Sequence, residues 1–555
     1  MESARRRGAT IALACVGVFV AYLPVVTVAV SLPAIQQALD ASTAQLSWIS
    51  DAFVLPVAAL ILTAGVFADV HGRKRVYQVG LALCALGALV ALCARSVQLV
   101  WVGQALAGAG AAALLPVTLA LISHAVPDPR ERGRYIGWWT TCMMAAMAVP
   151  PLIAGAILEH VGWRWIFLLP VPVALLTMVV AARLLDESRV HGKRRLDWPG
   201  QLTAAVAITT LIYGVIEGGA ESFSHPRALV ALTVAVVSAA IFVAVELRSS
   251  APMLDLSLFR SPAFTASTLA ALISFLGLIG FFFVLSLYFG TVQQLTTLQS
   301  GIRMVLVNVV SMFLGLVMGR VMRRVSARML ITVGLLVAAV ALLCLTSVGP
   351  DTSFGSVAWR LALLGLGLGL AFPCITNIAV ASVPPHQAGM AAAGNNALRQ
   401  VGGALGPAIM GALLTVKAVG ALPGHLAGAG LNGEIAQQIR GAAEESGLGA
   451  VAQLDLGSDT GRAMGATAEA FLDGLRLCLF VSAILLVLAA LAAAVLLRRS
   501  RSTTTPVPVP NDSASSVAVE LAERTTPGSS MAQDRSSSST TAVSGRESST
   551  VETFG

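Results

Sequence analysis

The chain has 555 residues, of which 56% are hydrophobic and 12% charged, with a mean hydropathy of +0.81. Soluble domains carry about 25% charged residues, so this composition excludes an ordinary water-soluble protein and makes the bilayer the solvent. The net charge of +8 does not imply nucleic acid, because the basic residues sit in short loops between apolar runs, a distribution that orients a membrane protein.

Apolar windows of about 20 residues, enough to cross a bilayer as a helix, recur along the chain. They fall near 9–33, 47–68, 76–94, 99–123, 136–158 and 165–185, then 200–217 and 228–247, then 264–290, 301–319, 328–348, 357–383, 399–420 and 471–497. That gives an all-α integral membrane protein with fourteen spans. The first window follows Arg5, Arg6 and Arg7 as a signal peptide would, but it is too long for a signal core and a second span follows, so it reads as an uncleaved helix.

Arg73, Lys74 and Arg75 share one side with Arg130, Arg132 and Arg134 and with Arg189, Lys193, Arg194 and Arg195. Arg320, Arg323, Arg324, Arg328, Arg498, Arg499 and Arg501 join them. The opposite short loops offer Arg95, Arg164 and Arg227. The positive-inside rule then places both termini in the cytoplasm. Trp48, Trp101, Trp163 and Trp359 lie near the predicted outer ends, as an interfacial belt would. Of the 36 basic residues only 3 are lysine, a usage that suits a GC-rich bacterial genome and hence a bacterial plasma membrane. The seven cysteines all fall in apolar runs without metal-ligand spacing, so neither a metal nor a disulfide framework is expected.

Two stretches lie outside the spans. Residues 421–468, on the outer side, are rich in Gly and Ala with a helix-like patch, NGEIAQQIRGAAEE. Residues 502–555 are rich in Ser, Thr and Pro, lack an apolar face and read as disordered.

One hairpin interrupts the hydrocarbon pattern. GVFADVHGRKR (65–75) puts an acid, a histidine and three basic residues between spans 2 and 3. Gly72 suits a tight turn, and Asp69 sits at a helix end where a carboxylate can pair with Arg73 or with a neighbouring helix terminus. Positive-inside accounts for the basic residues; it does not account for Asp69 with Gly65 and Gly72.

The spacing Gly65, Asp69, Gly72, Arg73, Lys74 resembles the signature loop of the major facilitator superfamily. SLPAIQQAL (31–39), SWISDAFVL (47–55), WRWIFLLPVP (163–172), LDWPG (196–200), PMLDLSLF (252–259) and AGMAAAGNNALRQVGGALG (388–406) resemble its fourteen-span drug:proton antiporters. The resemblance implies a major-facilitator fold: an N-terminal six-helix bundle over 9–185, preceded by a short cytoplasmic N-terminus at 1–8, and a linker with two extra spans over 186–262. A C-terminal bundle over 263–498 carries the outer loop, and a cytoplasmic tail covers 499–555. A second signature loop is expected between spans 10 and 11. GRVMRRVSAR (319–328) stands there in degenerate form, with Arg323 where the acid belongs and Ser326 where a glycine belongs.

Other positions depart from the family. Pro24 stands where span 1 usually carries an Asp, and Gln104 where span 4 usually carries an Arg. The antiporter motif of span 5 is reduced to PPLIAG, in which Pro151 and Gly155 are kept while Pro150 and Ala154 replace glycines; the paired prolines are expected to bend the span. Ionisable groups in a membrane are expensive and mark function. With Pro24 in place, the acids left near hydrocarbon are Asp51, Glu217 and Asp473, and Arg303 and Arg399 flank spans 10 and 13. Asp51 is the candidate for proton coupling, with Glu217 second, although Asp51 also suits a helix start and Glu217 an interfacial end. Gln104 and Arg399 are the cavity candidates, a gate contact being the favoured role of Arg399.

The function these readings imply is export of a hydrophobic or amphipathic small molecule, an antibiotic or related natural product, in exchange for protons. An uncoupled or differently coupled carrier is the alternative, as is a lipid-handling or receptor-like protein on the same scaffold. The partners are substrate, protons and lipid, without nucleic acid. No hydrophilic segment carries a nucleophile elbow, phosphate loop or metal spacing, so neither enzyme chemistry nor a cofactor is expected.

The topology is testable by thiol labelling in a cysteine-free background. A cysteine at position 440 is expected to react from outside intact cells, and one at position 515 only after permeabilisation; the reverse pattern would invert every directional statement.

Overall fold

In the computed structural model, residues 2–499 are described apart from 40–42, 189–196, 221–222, 250–251, 253, 296, 384–386, 447, 449–450, 452–453 and 455. The basic cluster at 189–195 and the tail from residue 502 lie outside the described residues. Among those described there is no strand, and fourteen helices are long and apolar enough to cross a membrane. Because every backbone group in hydrocarbon must be paired within its own segment, helix is the form such apolar runs adopt.

The first half contains α1 (Glu2–Leu39), α2 (Thr43–His71), α3 (Arg73–Leu92), α4 (Val97–Ala125), α5 (Pro129–His160) and α6 (Pro170–Leu184). Two inserted helices follow, α7 (Trp198–Ala220) and α8 (Pro226–Arg248). The second half contains α9 (Pro262–Leu287), α10 (Thr297–Arg324), α11 (Ala327–Leu345), α12 (Phe354–Ala381), α13 (Ala388–Gly428), the short α14 (Glu434–Ser446) and α15 (Thr460–Arg499). Within each half the packing repeats: α3 lies on α4 as α11 lies on α12, and α1 lies on α4 and α5 as α9 lies on α12 and α13. Between halves, α2 packs on α13 and α5 on α10, so the second helix of each bundle meets the fifth of the other. The inserted α7 packs on both α2 and α13 and thus lies across the seam between bundles.

Helix starts follow local chemistry. The Asp197 carboxylate accepts from Gly200 N at 2.9 Å ahead of α7, and Ser326 caps α11 through Met329 N. The Asp255 side chain caps the short turn before α9 by accepting from Ser257 N at 2.9 Å. α5 runs unbroken through Pro150 and Pro151. Trp48 and Trp359 are exposed, in keeping with an interfacial belt, but Trp163 is buried with Ile166 and Phe167 in a small core at the end of the first bundle. A tryptophan next to a tight turn has room to fold inward, which span position alone does not reveal.

The segment 421–468 is not a loop between two span ends. α13 runs on to Gly428 and α15 begins at Thr460, so both overhang the bilayer length and carry α14 between them. Leu422, Leu426, Leu431, Ile439, Ala443, Ala466 and Ala470 form a separate buried cluster there. Apolar residues at helical spacing on α14 close against the two overhangs, which is why a Gly/Ala-rich stretch orders. Ile439 is fully buried. Ile439→Ala is therefore expected to cost this cap about 2–5 kcal/mol, read as faster proteolysis within 429–459 while the bundle Tm stays put.

Candidate functional site: a latch between bundles and a buried arginine

The α2–α3 hairpin is built around one carboxylate. Asp69 is 2% exposed, and its Oδ1 accepts from Arg73 Nη2 at 2.8 Å and from Nε at 3.2 Å. Arg73 also donates to the Ala120 carbonyl of α4 at 3.4 Å. Gly72 turns the chain at φ 112°, a region that side chains other than hydrogen enter only with strain. A Cβ on Gly72 would also collide with the Glu187 carboxylate, which receives Lys74 N at 3.1 Å. Lys74 Nζ caps the end of α6 by donating to the Ala182 carbonyl at 2.8 Å.

The same carboxylate crosses to the other bundle. α13 starts at Ala388, and a Cβ placed on Gly389 would lie 2.6 Å from Asp69 Oδ2. Asp69 therefore sits on the positive end of α13, where a helix favours an anion. Gly65 permits the approach, because its own Cβ would come within 2.8 Å of Ala393 Cβ. Of the two partners open to Asp69 in the sequence, the structure uses both. PMLDLSLF supports the arrangement from the side: Gln387 Nε2 donates to Asp255 Oδ2 at 3.4 Å, and Leu254 and Leu258 pack with Met390.

At the pseudo-equivalent hairpin between α10 and α11, Arg323 is exposed and Ser326 has become a helix cap. The adjoining α5–α10 crossing is held instead by close backbone approach: a Cβ on Gly137 would lie 2.9 Å from the Gly315 carbonyl oxygen, and Thr141 Oγ1 donates to the Met312 carbonyl at 3.2 Å.

Arg399 corrects the sequence reading. It does not flank a span, because α13 begins eleven residues earlier, and it is 3% exposed. The preceding AGMAAAGNN stretch is too small-sided and polar to register as hydrocarbon-like, yet it forms helix by packing on α2 and α9. The guanidinium lies 4.9 Å from the Phe275 ring centre and 5.5 Å from that of Trp139, whose indole donates to Thr118 Oγ1 at 3.0 Å. Arg399 Nη2 donates to Tyr22 Oη at 3.4 Å and to Asn396 Oδ1, and Tyr22 Oη donates to Gln400 Oε1 at 3.4 Å. Residues of both bundles thus surround one cation, and among the described residues no carboxylate pairs with it. Tyr22, Trp139 and Asn396 were not singled out in the sequence; Asn396 and Trp139 carried the only available signal, polar or amphipathic groups inside otherwise apolar helices.

The remaining candidates separate. Pro24 is buried within a continuous α1, and the neighbouring Thr27 hydroxyl donates back to the Leu23 and Pro24 carbonyls at 2.9 and 3.1 Å. Gln104 is buried with no protein partner for Oε1, and no hydrogen bond joins it to Arg399. Asp51 is partly buried on α2, without an ion pair or hydrogen bond among the described residues. Glu217 pairs with Arg227 at 3.7 Å, and Asp473 with His425 and Arg476, each at 3.0 Å. Arg303 donates to Gln293 Oε1 at 2.7 Å and stacks on Phe289 and Phe354. Gly155 is buried beside the Ala154 position of the small Trp163 core. The structure therefore joins the five hairpin residues and builds a second centre at Arg399, but it links neither Gln104 nor Asp51 to that centre by a hydrogen bond.

A bilayer-spanning pair of six-helix bundles, latched at one end and enclosing a charged centre, defines a membrane transporter. The family model of the Major Facilitator Superfamily matches residues 14–407, and the chain belongs to that family. It is 31% identical to the multidrug resistance protein Stp of Mycobacterium tuberculosis (strain CDC 1551 / Oshkosh), over 74% of this chain and 76% of Stp. It is 29% identical to the tetracenomycin C resistance and export protein of Streptomyces glaucescens, over 87% of this chain and 90% of the relative. The fold is shared with the crystal structure of the human organic anion transporter MFSD10 (TETRAN) at a TM-score of 0.58 and 14% identity, covering 88% of this chain and 99% of that one.

Asp69→Asn keeps the shape of the side chain and removes the charge on the α13 terminus. It is expected to weaken the latch by about 1–3 kcal/mol and to cut transport at least tenfold with near-normal expression. Unchanged transport would reduce the hairpin to an orientation signal.

Proposed function

We propose that the chain exports hydrophobic or amphipathic small molecules, antibiotics or related natural products, by alternating access coupled to proton entry, with both termini in the cytoplasm. The reading is that of a carrier rather than an enzyme. The observation that carries it is the Asp69 carboxylate shared between Arg73 of one bundle and the α13 terminus of the other. A partner that one bundle lends to the other is lost when they part, so the contact biases an equilibrium between two packings. The names of the relatives supply drug resistance and export as the substrate class and direction.

The interior supports a preference within that class. Gln104 Oε1, Ser274 Oγ, Asn308 Oδ1, Asn396 Nδ2 and Arg399 Nε are buried polar atoms without a protein partner on α4, α9, α10 and α13. Such atoms are satisfied by water or by substrate. The charge among them is positive and α1 has Pro24 where the family resemblance leads one to expect an acid, so a permanent dication would enter without a counter-ion. The substrates are therefore neutral, zwitterionic or acidic. For proton coupling, Asp51 is better suited than Glu217, because Glu217 already has Arg227 as an ion-pair partner at 3.7 Å while Asp51 has none among the described residues.

Energised inside-out vesicles test these readings separately. Uptake of an acidic amphiphile is expected to exceed that of a quaternary dication at least tenfold, and Arg399→Leu to narrow that ratio. Efficient dication transport would overturn the substrate reading alone. Asp51→Asn is expected to abolish substrate-induced proton movement; undiminished proton movement would overturn the coupling reading and leave export standing.

A further inference from the structure

The inserted helices frame a groove that transport, as proposed, does not use. α7 ends at Ala220 and α8 begins at Pro226, so the turn between them marks where helices leave the hydrocarbon. Phe223 in that turn, with Leu413, Val416, Lys417 and Gly420 of α13 and Leu477 of α15, lines a cavity of about 490 Å³. The α13 residues involved run from 412 to 421, about 13 Å along the helix axis. The groove lies on the outer surface of the second bundle: Val416 is 76% exposed and Phe223 46%. It is apolar apart from one ammonium.

Lys417 is exposed and has no ion pair or hydrogen bond among the described residues. Of the described acids on the adjoining elements, Glu217 pairs with Arg227 and Asp473 with His425 and Arg476, while Glu469 lies eight residues before the groove residue Leu477 on α15. An unpaired ammonium on a hydrocarbon-facing helix must reach a headgroup or a counter-ion. Its level, that of the α7–α8 turn, is where lipid phosphates lie. The groove below it offers only apolar surface, and among the described residues that line it there is no carboxylate to receive a headgroup ammonium.

We propose that this groove binds an anionic phospholipid, with the phosphate on Lys417 Nζ and an acyl chain along Leu413, Val416 and Leu477. Charge complementarity selects this occupant: one cation above an apolar strip is the complement of one anion above an acyl chain. The lipid would wedge the α7–α8 turn against α13. Gly219 of α7 already packs there on the Ala408 carbonyl and Ala412, and α7 also touches α2. Occupancy therefore bears on the seam between bundles, and it extends the transport reading without depending on it.

The test compares full-length protein in phosphatidylglycerol and phosphatidylcholine nanodiscs, with native mass spectrometry of the detergent-released protein. Lys417→Gln is expected to lose one tightly retained phosphatidylglycerol and to shrink the phosphatidylglycerol-dependent rise in Tm by about 2–4 °C, with the Tm in phosphatidylcholine unchanged. Gly420→Phe, whose site is open enough to take a side chain, is expected to do the same with the ammonium intact. The basic residues of the opposite side serve as an internal control, because their lipid binding survives both variants. Equal lipid retention and equal Tm shifts in wild type and both variants would overturn the proposal. So would a Lys417-dependent Tm rise on adding inorganic phosphate alone, or displacement of the retained lipid by a transported drug.

Discussion

The architecture turns on a single buried carboxylate with partners on two rigid bodies. Asp69 is almost wholly removed from solvent, so its charge must be satisfied by protein. Arg73 is one helical turn away on the same hairpin and stays with it through any movement, whereas the α13 terminus belongs to the other bundle. Separation at this end leaves the pair with Arg73 intact and replaces a helix terminus by water. The change costs one helix-terminus interaction of about 0.3–1 kcal/mol and leaves the ion pair untouched. The glycines at 65 and 389 are part of the same device, since a methyl at either would hold the carboxylate off its second partner.

The fold's pseudo-symmetry makes the absence of a second such device at the α10–α11 hairpin informative. There the α5–α10 crossing is held by close backbone contact at Gly137 and Gly315 and by a threonine hydroxyl, and Arg323 stands exposed where an acid is expected. Apolar and dispersion contacts of this kind tolerate sliding better than a charge seated on a helix end. One seam therefore carries the charged contact and the other only backbone and hydroxyl contacts.

Much of this was legible in the sequence because hydrocarbon is a demanding solvent. The number of spans and the hairpin followed from apolar length and from an acid that a topology signal does not need, and the two inserted helices from the resemblance those residues carry. The misjudged parts share one cause: a hydropathy window reports affinity for lipid, not for other helices. α13 begins among Gly, Ala and Asn residues that face protein, so its first eleven residues, and the burial of Arg399, were invisible to the window. The helix-like patch NGEIAQQIRGAAEE marked α14, but its packing with the ends of α13 and α15 was not legible, because its apolar residues are too sparse to resemble a span yet periodic enough to close a small core. Which aromatic rings surround Arg399 is a matter of register between α1, α5, α9 and α13, which no single segment encodes.

Arg399 and Pro24 belong to one electrostatic argument. A buried guanidinium without a carboxylate is tolerated when its charge is spread over donors and ring faces, and here Tyr22, Asn396, Phe275 and Trp139 provide both. An aspartate on α1 would add a negative charge to the bundle that contributes Tyr22 to that cation's surroundings. Pro24 supplies neither charge nor donor at that point on the helix. The guanidinium is consequently held by groups that are individually weak and that come from both bundles, the state in which a competing anion or hydrogen-bond acceptor exchanges most readily. The missing acid thus leaves the interior a positive centre held by hydrogen bonds and ring faces from both bundles.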